Sequence, residues 1–155
     1  MADLDFFSAV AKLNEFDELD IEAMELLVRI ECSGEDFYNL LADRIGNDEA
    51  ADLLRRNGRE ETGHARRVQR AMAIKLGRPI ETTIDDVERF AVPLPDSIDP
   101  ALLPVIVDAE LKGDGDYQRW AERESDPEIV KLLLQNGREE TVHGERVQQV
   151  LALLS

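Results

Sequence analysis

Apolar residues recur every three or four positions along most of this 155-residue chain. That spacing is typical of helices that bury one face. It predicts a short amphipathic lead-in at about 3–16 and four long helices at about 21–45, 49–76, 100–123 and 127–153. Asp20 and Asp48 are predicted N-caps, Gly46 and Gly77 are predicted ends, and Asp126 precedes a proline at a first helical position.

The lengths of the connections favour one architecture. The first and third connections are short, whereas residues 78–99, with three prolines, form a long one. This order predicts an all-α, ferritin-like antiparallel four-helix bundle made of two helical hairpins joined by one long crossover. We therefore divide the chain into a lead-in segment, 1–19, and one bundle domain, 20–155.

The chain contains an internal repeat with an offset of 79 residues. NGREETGHARRVQR at 57–70 and NGREETVHGERVQQ at 136–149 agree at ten of fourteen positions. The same offset places Glu31, Gly34 and Tyr38 on Glu110, Gly113 and Tyr117. Two copies at this period are typical of a duplicated helical hairpin rather than of a solenoid.

Ionisable residues occupy the middle of the apolar stripe on every long helix. In heptad register, each stripe is apolar at its ends and carries acid or histidine between them. The residues concerned are Glu31, Glu61, His64, Glu110, Glu140 and His143. No lysine or arginine lies on these stripes. Four unpaired carboxylates in one core would be strongly destabilising, so the pattern predicts bound metal.

The spacing of these residues supports two ions. Each histidine follows a glutamate by three positions, which places both side chains on one helix face. Four glutamates and two histidines can neutralise two divalent ions, and mixed oxygen and nitrogen ligation favours iron, manganese or zinc over calcium or magnesium. A solvated helix face is the usual interpretation of a single Glu-x-x-His, but two copies in register favour a dinuclear site.

Charge and cysteine content limit the cellular compartment and the partners that we expect for this protein. The formal net charge of −16 would repel nucleic acid and anionic membranes, and no run of 18 apolar residues is present. The start of the chain lacks a basic segment typical of a secretory signal. Cys32 is a single cysteine, which allows no internal disulfide. We therefore expect a cytoplasmic protein with no nucleic-acid or membrane partner.

The stretch RIECSGEDFYNLL, with Phe-Tyr six and seven residues after Glu31, resembles the first helix of the rubrerythrin branch of the di-iron carboxylate proteins. The resemblance covers about 20–153. It implies two iron ions, with manganese or zinc acceptable in purified material. It also implies that Glu61 and Glu140 bridge the ions. Glu31 and His64 would complete the coordination of one ion, and Glu110 and His143 would complete the coordination of the other. Tyr38 and Tyr117 would each donate to a glutamate across the bundle.

Two features depart from the rubrerythrin pattern. Typical rubrerythrins carry a four-cysteine rubredoxin domain, and this sequence has one cysteine. They also carry an extra glutamate three residues after the third-helix ligand, where this chain has Gly113. The six-ligand set is therefore closer to the ferroxidase centre of bacterioferritin, but the short tail leaves no room for the fifth helix of ferritin cages.

Three functions follow from these features. The leading one is a di-iron oxidoreductase that reduces hydrogen peroxide or dioxygen with electrons from an external donor such as a rubredoxin. The second is a ferroxidase or iron-handling protein, and the third is a non-catalytic metal-binding bundle. We expect a homodimer, and the long connection would allow hairpins to be exchanged between two chains.

Several residues near the predicted site have two interpretations. Gly34 and Gly113 indicate either close helix packing or room for an oxidant beside the metals. Asn57 and Asn136 are either donors to the ligands or locally satisfied buried amides. Tyr117 and Trp120 are better explained as core residues than as an electron relay, and Cys32 as a small apolar residue than as a redox centre.

Overall fold

Five α-helices make up the regular structure of residues 4–155, which are the residues that this computed structural model describes. They are α1 (Phe6–Leu13), α2 (Ile21–Arg44), α3 (Asp48–Leu76), α4 (Leu102–Glu122) and α5 (Pro127–Leu153). A single 3₁₀ turn at Ile84–Asp86 interrupts the crossover, and these described residues include no strand. The predicted all-α bundle is confirmed. The part of the lead-in at 1–3 lies outside the described residues.

Local sequence accounts for most of the helix boundaries. The Asp20 carboxylate accepts a hydrogen bond from the Ala23 backbone at 2.8 Å, and Asp126 accepts one from the Glu128 backbone at 2.8 Å. These contacts satisfy backbone N–H groups that lack partners in the first turn. Gly46 and Gly77 have φ angles of 73° and 68°, a left-handed conformation that only glycine adopts without strain.

Two predicted boundaries were wrong. The N-cap of α3 is Asn47, whose side-chain oxygen accepts from the Ala50 backbone at 2.9 Å, so Asp48 is the first helical residue. Helix α4 begins at Leu102 rather than near residue 100, because Asp99 accepts from the Ala101 backbone at 2.9 Å and forms a turn before the helix. Pro104 fits within the first turn of α4, where its missing N–H would have no helical partner.

The long helices pack as two hairpins, α2 with α3 and α4 with α5, and the hairpins meet where α3 packs on α5. Within residues 4–155, α2 and α4 make no comparably close backbone contact. The crossover is fastened to α2: the Ser33 hydroxyl accepts from the Phe90 backbone at 2.8 Å, and Arg89 contacts Glu35 at 2.9 Å. This is the ferritin-like arrangement.

The apolar core lies in two clusters, one toward each end of the bundle. One cluster includes Met24, Leu27, Val68 and Leu133, and the other includes Leu41, Leu54, Leu103 and Val147. The predicted seam, apolar at its ends and ionisable in its middle, is therefore present. In the described part of the chain, no helix is both long enough and apolar enough to cross a bilayer.

Helix α1 packs against α2 at the side of the bundle where α2 and α4 are separated. The Phe6 ring stacks on Phe37 with a centroid distance of 5.5 Å, and the Phe6 backbone donates to the Ala91 carbonyl at 2.8 Å. The segment after α1 is held to α4, because the Trp120 indole donates to the Phe16 carbonyl at 3.1 Å. The lead-in thus forms a short helix anchored over the α2–α4 side.

Candidate metal centre

All six predicted ligands lie together in the middle of the bundle, and each is buried. Helices α2 and α4 contribute Glu31 and Glu110, one each. Helices α3 and α5 contribute the two Glu-x-x-His pairs, in which the histidines are fully buried. The placement follows directly from the heptad positions, since every one of these residues occupies the inward stripe of its helix.

Donor atoms of the two Glu-x-x-His pairs lie within 4.8 Å of one another, so this buried group can hold a metal ion. The remaining two glutamates adjoin it. His64 Nδ1 is 3.0 Å from Glu140 Oε1 and 3.3 Å from Glu31 Oε2. His143 Nδ1 is 3.0 Å from Glu61 Oε1 and 4.0 Å from Glu110 Oε2. The cluster therefore has two similar halves, each with one histidine whose Nδ1 faces a carboxylate of the opposite hairpin at 3.0 Å.

The two tyrosines reach across the bundle to the outer glutamates. The Tyr117 hydroxyl on α4 donates to Glu31 Oε1 on α2 at 2.7 Å, and the Tyr38 hydroxyl on α2 donates to Glu110 Oε1 on α4. Burial, and then the neighbouring carboxylates, raise the pKa of both tyrosines well above their ordinary value, so each remains a donor. These bonds fix the orientation of the two carboxylates.

The heptad analysis missed a second pair of glutamates. Each of them contacts the Nε2 atom of one histidine, on the side that faces away from the cluster. His64 Nε2 lies 3.2 Å from Glu139 Oε1, and His143 Nε2 lies 3.3 Å from Glu60 Oε1. An ionised carboxylate only accepts, so Nε2 carries the hydrogen and Nδ1 faces the site. Arg67 and Arg146 neutralise these glutamates at 2.9 and 2.8 Å. The internal repeat was the available signal, because both acid–arginine pairs are identical in its two copies.

The two asparagines connect the hairpins. The Asn57 amide donates to the His143 carbonyl at 3.1 Å, and the Asn136 amide donates to the His64 carbonyl at 3.1 Å. Each asparagine oxygen accepts from the arginine that neutralises the outer glutamate, Arg146 or Arg67, at 3.0 and 3.1 Å. The asparagines thus hold the backbone of the opposite Glu-x-x-His helix, a longer-range role than local satisfaction.

Crowding of like charges perturbs the acids. Burial, followed by repulsion from neighbouring carboxylates, raises the pKa of Glu61 and Glu110 well above the ordinary value. Burial also acts to raise the pKa of Glu31, but hydrogen bonds from His64, Glu61 and Tyr117 outweigh it and bring that pKa to about 2. Without a cation, the site therefore retains protons that a divalent metal would displace.

The pKa values of the two imidazoles shift in opposite directions. Burial acts to lower the pKa of His64, but hydrogen bonds to Glu139, Glu140 and Glu31 outweigh it and raise that pKa well above the ordinary value. Burial lowers the pKa of His143, and the nearby His64 charge adds to this effect. The rings are stacked, so protonation of one disfavours protonation of the other.

The glycines beside the site have different environments. A Cβ at Gly34 would come within 2.9 Å of Glu61 Oε2, whereas one at Gly113 would lie 3.5 Å from Glu140 Oε2, an ordinary contact. Both glycines line a cavity of about 330 Å³ that reaches the carboxylates from the α2–α4 side. A Cβ at Gly58 or at Gly137 would instead lie 3.3 Å from a backbone oxygen of the neighbouring helix, so these two glycines allow close helix packing.

Cys32 lies beside a predicted ligand but takes no part in the cluster. It is fully buried, and burial raises the pKa of its thiol to about 11. A thiol in this state is a poor nucleophile. This agrees with its interpretation as a small apolar residue.

A rubrerythrin family model matches residues 22–151, which cover the bundle from α2 to α5. The chain therefore belongs to the rubrerythrin family. No curated protein and no solved structure matches the chain significantly.

The donor set fits the paired metal ions that the family typically binds. It offers four carboxylates and two imidazole nitrogens in two similar halves. The buried carboxylates repel one another, and bound cations would neutralise that repulsion. The assignment of Glu61 and Glu140 as bridges, and of the other four residues as terminal ligands, stays a prediction.

Proposed function

We propose that this protein is a di-iron oxidoreductase that reduces a peroxide with electrons from a separate donor. The observation that carries the proposal is the buried pair of Glu-x-x-His motifs, whose donor atoms converge within 4.8 Å. When bound, a pair of ferrous ions supplies the two electrons that cleavage of a peroxide O–O bond requires.

The chain's own residues would hold and orient that pair. Glu61 and Glu140 would bridge the two ions, and the contact of each with the histidine of the opposite hairpin at 3.0 Å supports this role. Glu31 and Glu110 are each oriented by a tyrosine hydroxyl. Burial and the neighbouring carboxylates raise the pKa of Tyr38 and Tyr117, so each can donate to a carboxylate oxygen.

Space beside the bridging carboxylates supports an oxidant site. Both glycines line the cavity, and Gly113 leaves room for a further atom at an ordinary contact distance from Glu140. A small oxidant can thus reach the middle of the cluster from one side. The opposite side is closed, because α3 packs on α5 and the asparagines bridge them.

The source of electrons lies outside this bundle. The sequence contains one cysteine, so its residues do not supply a four-thiolate iron site. A one-electron carrier of the rubredoxin type would restore the reduced state twice per turnover.

Stopped-flow oxidation of the diferrous protein tests the proposal. We expect faster oxidation by hydrogen peroxide than by dioxygen, and many turnovers when a rubredoxin-type donor is added. Zinc-loaded protein, which has the same ligands but no redox chemistry, is the control. Faster oxidation by dioxygen, followed by release of ferric ion, would contradict the proposal.

A ferroxidase is the second candidate, and Gly113 is the residue that favours it. A glutamate at this position would lie beside Glu140 and add a seventh ligand, as in typical rubrerythrins. With glycine there, the six-ligand set is similar to a ferroxidase centre. The same stopped-flow comparison separates the two functions.

A further inference from the structure

The cavity beside the metal centre is much larger than hydrogen peroxide requires. It measures about 330 Å³, whereas a water molecule, only slightly smaller than hydrogen peroxide, occupies about 30 Å³ in the liquid. Cavities of roughly 300 Å³ and above are typical of sites for organic ligands. The cavity therefore has room for an organic group.

The walls of the cavity are apolar and its floor is polar. Phe6, Phe7 and Val10 of α1 form one wall, and side chains of α2 and α4, such as Ile30 and Ile106, form the others. The floor consists of the cluster carboxylates, the two tyrosines and the two glycines. A molecule that fills this space would place an apolar body against the helices and a small polar end at the cluster.

Charge restricts the occupant to a neutral molecule. Four buried glutamates border the floor, and the chain carries a net charge of −16. Lys112 is a cation at the wall, but Asp116 at 3.0 Å and Asn14 at 3.0 Å already occupy its ammonium group. When bound metal neutralises those glutamates, the net negative charge of the chain still disfavours an ionised organic acid.

We propose that this cavity binds a neutral organic hydroperoxide, with its hydrocarbon part against α1, α2 and α4 and its O–O group beside Gly113. The assignment rests on the proposed function and names the substrate class of the same site. The reaction takes two electrons from the external carrier and two protons from water. The O–O bond breaks, one oxygen leaves as an alcohol, and the other leaves as water.

Binding can be measured without turnover, because Trp120 is the single tryptophan of the chain and lines the cavity. The probe is 2-phenyl-2-propanol, the alcohol that forms from cumene hydroperoxide, added to zinc-loaded protein. We expect a saturable change in Trp120 fluorescence. Ala109→Phe, at an exposed residue that lines the mouth of the cavity, should weaken binding about tenfold or more. Ala152→Phe, on an exposed face of α5 away from this cavity, is the matched control and should bind normally.

Oxidation of the diferrous protein supplies the second readout. Ala109→Phe should slow oxidation by cumene hydroperoxide about tenfold or more relative to oxidation by hydrogen peroxide, and Ala152→Phe should leave that ratio unchanged. Absence of probe binding, or an unchanged ratio in Ala109→Phe while hydrogen peroxide still reacts, would overturn the inference alone. Binding of the alcohol with no oxidation by either peroxide would instead overturn the proposed function and, with it, the hydroperoxide assignment.

Light scattering of the same variants tests whether a second copy of the chain, instead of a hydroperoxide, occupies the mouth of the cavity. If a second copy of the chain covers the cavity mouth, Ala109→Phe should lower the molecular mass in solution while Ala152→Phe does not. That result would overturn the inference. An unchanged mass together with weaker probe binding would support it.

Discussion

His64 and His143 are stacked face to face at the centre of the bundle, with ring centroids 5.1 Å apart and an angle of 15° between their planes. Both rings present Nδ1 to the glutamate cluster and Nε2 to an outer glutamate. The stacking brings the two halves of the repeat into register. It also places two imidazole nitrogens that could bind metal side by side.

The outer glutamate should determine how well each histidine binds metal. Glu139→Ala removes the acceptor for His64 Nε2, so the ring loses the contact that fixes its tautomer and orientation. We expect zinc affinity to fall by about tenfold to hundredfold. Chelator competition measures it. Glu139→Gln, whose amide oxygen still accepts, should recover most of the affinity. Glu145→Ala, at an exposed position of α5, is the control and should have no effect.

The bridging glutamates should account for most of the stability that metal provides. Metal binding to the folded state raises the melting temperature by linkage. Glu61→Ala and Glu140→Ala should each remove most of that increase, since each deletes a carboxylate that faces the histidine of the opposite hairpin at 3.0 Å. Calorimetry with and without zinc measures the difference. A variant that keeps the full increase would refute the bridging assignment, and Glu145→Ala should keep it.

Gly34 and Gly113 should differ when each is replaced by alanine. At Gly34 the new methyl group would lie 2.9 Å from Glu61 Oε2 and displace it, so metal affinity should fall. At Gly113 the contact is 3.5 Å, so affinity should be kept, and helix propensity should increase the free energy of unfolding by up to about 1 kcal/mol. Zinc titration and denaturant unfolding test both variants. Equal losses of affinity would contradict the structure.

Metal binding should release protons. Burial and mutual repulsion raise the pKa of Glu61 and Glu110, so without metal their contribution to stability is present at low pH and is lost as pH rises through those raised values. The metal-dependent increase in melting temperature should therefore grow from about pH 5 to about pH 7. In metal-free Glu61→Gln, stability should depend less on pH. A metal-dependent increase that shrinks with rising pH would contradict this account.

Helix positions and the six predicted ligands could be read from the sequence because both depend on local periodicity, which the repeat displays twice. The heptad pattern could not predict the contacts of the outer glutamates. Glu60 and Glu139 lie one residue off the inward stripe, and a heptad count places them on the surface. Only the close packing of α3 on α5 brings each within reach of a histidine on the other helix.

The cavity was also beyond sequence analysis. The pattern indicates that α1 is amphipathic, but not which helices it covers. Its position depends on contacts between residues distant in sequence, such as Phe6 with Phe37 and with the Ala91 carbonyl. The choice between Asn47 and Asp48 as N-cap was undetermined for a simpler reason, since both residue types cap helices well.

Metal analysis tests the central claim, a dinuclear iron site, most directly. Protein reconstituted with ferrous iron under anaerobic conditions and then desalted should retain about two iron ions per chain, because each buried histidine has its own neighbouring carboxylates. The double variant His64→Ala with His143→Ala is the control and should retain far less. A ratio near one in the unaltered protein, or loss of all iron on desalting, would contradict the account.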